Sequence, residues 1–506
     1  MSREPLINPR TTDAAQRSHG LNVDKPLIKI LLYTDDPDNI PQTNDVDLGL
    51  GRMIDHLKAH EPTHARLCVK WVSRNSSSLT HADNKINNVL AKELAETGQP
   101  FDEIWFFGLL QANQEKVSFG VLRSGPESEL NKEEVLYLQR WMSVEGERAA
   151  GGGVLIAGDH GHPRPDGVIP GENPLCPDSS TGQEFLGRGR AIGRCVPRAG
   201  MLRRWEGEPT NRPEDSHSTL EGPGFDTDSV PQELILRNVD AAGDPDSDGQ
   251  PHPIFRYKAG RWIRVLPDHQ HEGDVIEPRK PLDPDVWPGQ VRPHVVAYGV
   301  DKRHSTLVNL IATYNGDLAN VGRIVADSSW HHYFNLNLNK FRHPMPEGSA
   351  GDRIGQFYGN LAVWLSPYRK RYEMTCAMFW RLAKYTLLME DLSNVMNIGR
   401  EAYAILLQTA SPCEIHEMIQ AVIPERFRAL YFPERELTLS HLPSQPLLLG
   451  CVLESYHQEI NRAESSGESY QPSGVAKVIE SGFMNAFNEH AKLLELKASE
   501  TRNLIG

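Results

Sequence analysis

The chain has 506 residues, 39% hydrophobic and 24% charged, ordinary values for a folded globular protein that exclude wholesale disorder. Lys plus Arg total 53 against 67 Asp plus Glu, a formal net charge of -14, which excludes a broad nucleic-acid surface built on clustered cations. No apolar run reaches the about 18 residues of a spanning helix, and the six cysteines are scattered without a CxxC pair. The expectation is a cytoplasmic protein with no membrane or nucleic-acid partner and no disulfide framework.

Residues 1–25 are polar and without periodicity, and read as a flexible tail with no secretory signal. Ile28–Thr34 (IKILLYT) is a continuous apolar run, the pattern of a strand buried on both faces. Asp47 is placed to cap the helix that follows it, and Ala65–Val72 reads as a second strand. A helix over Asn84–Glu96 and a strand over Phe101–Gly108 come next. Asn131 is placed to cap a further helix, with Glu134 at the capping-box position. Gly151, Gly152 and Gly153 end that segment, and Val154 opens a fourth strand. This alternation predicts an α/β domain: a doubly wound, mostly parallel sheet with helices on both faces.

The pattern breaks over residues 161–292, a stretch rich in Pro, Gly, Asp and Arg. It is too long for a plain loop and reads as an insertion with short strands near Leu234 and a hairpin around Gly260. Sheet signals resume at Val295–Val300, Thr306–Asn315 and Gly322–Trp330. From about residue 346 strand patterns give way to helical periodicity, with helices expected near 352–365, 370–394, 396–410, 413–422, 446–464 and 473–499. The predicted organisation is therefore a tail (1–25), an α/β domain (26–345) and an all-α domain (346–506).

The acidic helix that ends in Gly151-Gly152-Gly153 and leads into VLIAGDH, together with the late strand GRIVADSSWHH, resembles the class I glutamine-amidotransferase-like superfamily. The resemblance is closest to its trehalose-utilisation (ThuA-like) branch and covers residues about 26–160 and 292–340. It implies a flavodoxin-like sheet. The superfamily's amidotransferases carry a nucleophilic cysteine in an elbow after the core strand. Here that position reads Ala157-Gly158-Asp159-His160-Gly161, without Cys or Ser, so thioester glutaminase chemistry is not expected.

Sites in doubly wound sheets form at the carboxyl ends of the strands. The first strand is followed by Asp35, Asp36 and Asp38, residues that equally serve as turns or helix caps. The fourth is followed by Asp159, His160 and His162, and the last by Asp327, Ser328, Ser329, His331 and His332. The insertion adds Asp268, His269, His271 and Glu272. Side chains two apart in an extended segment point the same way, so His160 with His162, and His269 with His271, are the candidate ligands of a divalent metal such as zinc, manganese or iron. Asp159, Asp268, Glu272 and His331 are the candidate catalytic acids, bases or orienting groups, and Ser328 or Ser329 is the alternative nucleophile. The Gly-rich GRGRAIG at 187–193 matches no phosphate-binding motif, and the neighbouring arginines read as solvated surface.

These residues predict a hydrolase acting on a small polar or carbohydrate-like substrate. The competing reading is a non-catalytic binding or assembly module on a degenerate scaffold, with the helical region docking a second copy or a protein partner. The missing elbow nucleophile favours the second reading and the clustering of histidines favours the first.

Overall fold

The computed structural model describes residues 25–34, 40–62, 64–76, 79–80, 82–107, 132–146, 149–157, 202–204, 231–239, 245, 249–257, 261–267, 273–275, 291–301, 306–383, 394–406, 415, 419, 444–466 and 475–505. All but the last residue of the expected N-terminal tail, and most of the insertion, lie outside them. Among the described residues no helix is long and apolar enough to cross a membrane.

Eight strands form the central sheet: β1 (Leu27–Thr34), β2 (Arg66–Ser73), β3 (Glu103–Phe107), β4 (Gly153–Ala157), β5 (Ile235–Leu236), β6 (His294–Asp301), β7 (Thr306–Tyr314) and β8 (Ile324–Asp327). Their spatial order is β2-β1-β3-β4-β8-β7-β6-β5. The first five in that order are mutually parallel. The last three are added antiparallel. The sheet is thus mixed, with four parallel and three antiparallel pairings. The cause is local: only residues 302–305 join β6 to β7, which is enough for a hairpin and too short for a parallel crossover.

The apolar runs settle where burial requires. In β1 every residue from Ile28 to Thr34 is buried, and β3 and β4 are buried throughout. β2, at the sheet's edge, alternates exposed and half-buried positions instead. One face of the sheet is covered by α1 (Gly51–Ala59) through Met53, Ile54 and Leu57. The opposite face is covered by α2 (Ile86–Thr97) and α3 (Lys132–Met142) through Ile86, Leu90, Leu138 and Trp141.

The helix starts differ from the sequence expectation. Leu50, not Asp47, is the N-cap of α1, and no side chain caps it. The Asp47 carbonyl instead accepts the Leu336 amide at 2.8 Å. Residues 82–84 form a separate 3-10 turn before α2, which ends on Gly98 in the left-handed region at φ 67°. Asn131, the expected cap of α3, lies outside the described residues, and Glu134 has partners beyond its own helix. Its carboxylate is fully buried, holds the Arg74 guanidinium in a bidentate pair, and accepts the Ile86 amide at 3.0 Å, capping α2 from across the layer.

α4 (Ala350–Leu365) begins at Ser349, whose hydroxyl accepts the Asp352 amide at 3.2 Å. The sequence pattern places this helix past the boundary near 345, in the helical region. Its buried residues Ile354, Phe357, Tyr358, Leu361 and Leu365 nevertheless belong to the sheet core, on the α1 face. Leu234, Ile254, Phe255, Tyr257 and Ile263 of the insertion join the same core, so part of the insertion is structural. Its expected hairpin is present, with Arg256–Tyr257 antiparallel to Arg261–Trp262.

α5 (Tyr368–Ala383), α6 (Val395–Leu406), α7 (Gln445–Ser466) and α8 (Val475–Ile505) follow. They share a separate apolar cluster around Leu382, Ile398, Leu449, Tyr456 and Phe483, while Met374 on α5 reaches back to the sheet core. The helix expected at 413–422 lies almost wholly outside the described residues.

Glu134→Ala is expected to cost about 3–5 kcal/mol, because it strands the buried Arg74 charge and uncaps α2. Chemical denaturation of wild type and variant measures this, and a loss below about 1 kcal/mol would show that the pair is dispensable.

Candidate functional site

The parallel strands end together at one edge. Thr34 pairs with Phe107, Phe106 with Ile156, and Ala157 with Asp327, so the carboxyl ends of β1, β3, β4 and β8 form one row across the sheet. Asp327 closes that row.

Asp327 is fully buried and its carboxylate is surrounded by donors. The Ser329 amide donates to Oδ1 at 3.0 Å, a local turn that ends β8 three residues short of the strand run predicted through Trp330. Trp330–His332 then make one 3-10 turn, which brings the chain back on itself. His332 Nδ1 comes to lie 2.9 and 2.8 Å from the two carboxylate oxygens, and the Tyr333 hydroxyl donates to Oδ2 at 2.8 Å. A carboxylate only accepts, so Nδ1 carries the hydrogen, and in the neutral ring Nε2 carries the lone pair. α4 fixes the same turn from outside, since Tyr358 donates its hydroxyl to the His332 carbonyl. Burial, then Asp327, pushes the Tyr333 hydroxyl well above the usual phenol range, and the same two causes act on Tyr358, so both stay protonated donors.

His331, the residue expected to act here, turns away from Asp327. Its Nδ1 lies 3.1 Å from Asn337 Oδ1 and its ring packs edge-on against Trp330 at 5.2 Å. Of the adjacent pair it is His332 that meets the carboxylate. Ser328 continues the ladder through its amide to Leu310 at 2.8 Å, and strand alternation sends its side chain to the face opposite Asp327. Ser328 as a nucleophile therefore gains no geometry from the dyad.

Asp159, His160, His162, Asp268, His269, His271 and Glu272 lie outside the described residues, as do Asp35, Asp36 and Asp38. Among the described residues no group of three His, Cys, Asp or Glu is arranged to hold a metal ion. Tyr333 and Tyr358 escaped sequence reasoning. Tyr333 sits six residues after Asp327, and that spacing alone is a weak signal. Tyr358 acts from 26 residues beyond His332, with no signal at all.

The segment after the dyad is tied to α1 and the chain before it. The Asn335 and Leu336 amides donate to the Gly49 and Asp47 carbonyls at 2.9 and 2.8 Å. Asn335 Nδ2 donates to the Thr43 and Val46 carbonyls, both at 2.7 Å, and its Oδ1 accepts the Arg52 amide at 2.9 Å. The imidazole of His56, on α1, bonds the Phe341 carbonyl.

His56 belongs to a second group of imidazoles. Its ring centroid lies 5.8 Å from that of His60 and 6.4 Å from that of His343, and the last two are 6.0 Å apart. One carboxylate faces them, Asp352 at the start of α4, which receives His60 Nε2 at 3.1 Å, the Gly348 amide at 2.8 Å and the Tyr257 hydroxyl. Burial opposes ionisation of Asp352, but the Tyr257, Gly348 and His60 contacts outweigh it and hold its carboxyl below the usual range. α4 comes this close to α1 because residue 355 is glycine: a Cβ there would lie 2.2 Å from His60 Cε1 and 2.8 Å from His56 Nδ1.

No protein family, curated protein or solved structure matches the chain in comparison.

Burial, opposed in part by the Phe341 carbonyl, lowers His56 to about 4, and burial followed by the Arg323 charge lowers His252 to about 3. Both folded values lie below the unfolded one near 6.5, so the unfolded chain binds these protons first as pH falls. Stability is expected to be level above about pH 6.5 and to drop below it by about 1.4 kcal/mol per pH unit from each group. Denaturation midpoints taken between pH 7.5 and 5 test this; a flat profile would show that neither imidazole is held neutral. At the dyad, Asp327→Asn lets an amide N–H face Nδ1 and is expected to invert the His332 tautomer. Nitrogen-15 NMR of the ring reads the inversion, and an unchanged pattern would show that the carboxylate does not orient it.

Proposed function

We propose that the protein is a hydrolase whose general base is His332, oriented by Asp327, at the carboxyl edge of the sheet. One observation carries this reading: the carboxylate at the end of β8 receives Nδ1 of His332, which fixes the tautomer whose lone pair is on Nε2. Nε2 removes a proton from water as the oxygen attacks the substrate, and the imidazolium, stabilised by Asp327, returns that proton to the leaving group. Both side chains are fully buried, where such electrostatics are strong.

The parallel strand order β2-β1-β3-β4-β8 supports a flavodoxin-like, amidotransferase-like reading of the fold. That resemblance is the source of the small polar or carbohydrate-like substrate class. In the fuller form of this reading His160, His162, His269 and His271 bind a divalent metal, with Asp159, Asp268 and Glu272 as supporting acids or bases. A second reading, an assembly module, draws on α8, which exposes Leu493, Leu494 and Leu496 beyond Ala486, the last buried one among its described side chains.

The test is a panel of chromogenic esters, amides and glycosides given to the wild type and to His332→Gln and Asp327→Asn variants that keep the wild-type circular dichroism. Turnover of one substrate class, lowered about 10²–10⁴-fold by either change, is the expected result. If no class is turned over, or if the variants match the wild type, the hydrolase reading fails and the assembly reading stands.

A further inference from the structure

The geometry points to an acid-operated latch: the His56, His60 and His343 cluster holds α1 and the segment 333–341 against α4, and releases both when a second imidazole takes up a proton. As a control of catalysis the latch rests on the hydrolase reading above; as a physical device it stands on the cluster alone.

The cluster joins three pieces of chain. His56 and His60 come from α1 and its C-cap, His343 from the segment that follows the dyad, and Asp352 from α4. All three rings lie within 6.4 Å of one another. The charges facing them are few. Asp352 already accepts Tyr257, Gly348 and His60, and so neutralises one imidazolium. The Tyr257 ring is in turn flanked by the guanidinium groups of Arg261 and Arg353 at 5.1 and 5.7 Å, which add positive charge on that side. Asp55 is the other anion near His56, on the same helix, and its carboxylate also accepts the Asn44 amide at 2.8 Å. From α4, Tyr358 offers its ring to His56 at 6.1 Å and no charge. One proton in the cluster is therefore paired. A second is set among like charges, beside a helix that Gly355 brings close to His56 and His60.

Opening would not stay local. His56 holds the Phe341 carbonyl, and the N-terminal part of α1 with the turn before it holds Asn335 and Leu336. Those contacts are the continuation of the turn that carries His332 and Tyr333. Tyr358, which grips the His332 carbonyl, packs on His56 as well. Separation of α1 from α4 thus removes two supports of the dyad at once, and the state it biases is the position of the segment 333–341.

Hydrogen–deuterium exchange of the full chain from pH 7.5 to 5, corrected for intrinsic rates, tests the latch. Protection in residues 49–60 and 333–341 is expected to fall first, about tenfold per pH unit for each proton taken up, while β1, β3, β4, α2 and α3 keep theirs. The His332 nitrogen-15 resonances are expected to move with the same midpoint. His343 is exposed, so His343→Gln keeps the fold; it removes one like charge and is expected to shift both transitions to lower pH. Three results would overturn the latch: loss of protection across the whole sheet together, α1 opening with His332 unmoved, or a midpoint that His343→Gln leaves in place. A chain that shows the acid response but turns over no substrate keeps the latch and loses only the hydrolase reading.

Discussion

A carboxylate buried at the end of a strand has to be given donors, and Asp327 sets the terms on which its surroundings are built. An uncompensated charge in that position would cost more than a single hydrogen bond returns. Four contacts meet the demand: the Ser329 amide, both oxygens shared by His332 Nδ1, and the Tyr333 hydroxyl. All of them come from the six residues that follow Asp327, so the chain must turn sharply after β8 and cannot extend the strand. The 3-10 turn at Trp330–His332 is the consequence. Phe107, at the end of β3, then receives the Tyr333 ring at 5.3 Å, which ties the turn to the middle of the sheet's edge.

The turn needs support from outside itself, because a single 3-10 turn has few bonds of its own. That support has two sources in distant sequence. α4 provides the Tyr358 hydroxyl, and the chain before α1 provides the carbonyls of Thr43, Val46, Asp47 and Gly49. Asn335 is the residue that makes the second connection work. Its side chain donates twice and accepts once, and its own amide donates too. No apolar side chain of the same volume satisfies that set of partners. The dyad and the histidine cluster are consequently parts of one layer, bounded by the sheet on one side and by α1 and α4 on the other.

Much of the sheet was legible in the sequence, since IKILLYT and VLIA are dominated by apolar residues and become strands buried on both faces. Helix starts were less legible. Asp47 and Glu134 both carry a capping side chain at the right spacing, yet α1 starts three residues after Asp47, on Leu50, and the Glu134 carboxylate holds Arg74 and the Ile86 amide. The segment DSSWHH was visible as a concentration of polar residues after a strand. Which histidine faces Asp327 was not, because the choice depends on a 3-10 turn that strand periodicity does not anticipate. The cluster of His56, His60 and His343 was invisible: its members are brought together by packing of α4 on α1 across nearly the whole α/β region, and only Gly355 hints at so close an approach.

The antiparallel strands explain why the dyad is dry. Were the sheet to stop at its five parallel strands, β8 would be the edge and Asp327 would face water on one side. β7 pairs along β8 instead, from Tyr314 with Ile324 to Ile311 with Asp327, and the Ser328 amide extends the ladder to Leu310. β6 and β5 then move the edge two strands further away. Asp327 is thereby placed inside the sheet while remaining at the carboxyl end of a parallel pair with β4, where the chain leaves toward Asp159 and His160. Low dielectric strengthens the pull of the carboxylate on the imidazole and raises the cost of any arrangement that leaves either one unpaired. The hairpin that breaks the parallel pattern is, on this argument, what gives the Asp327–His332 pair a surrounding in which a fixed tautomer has chemical consequence.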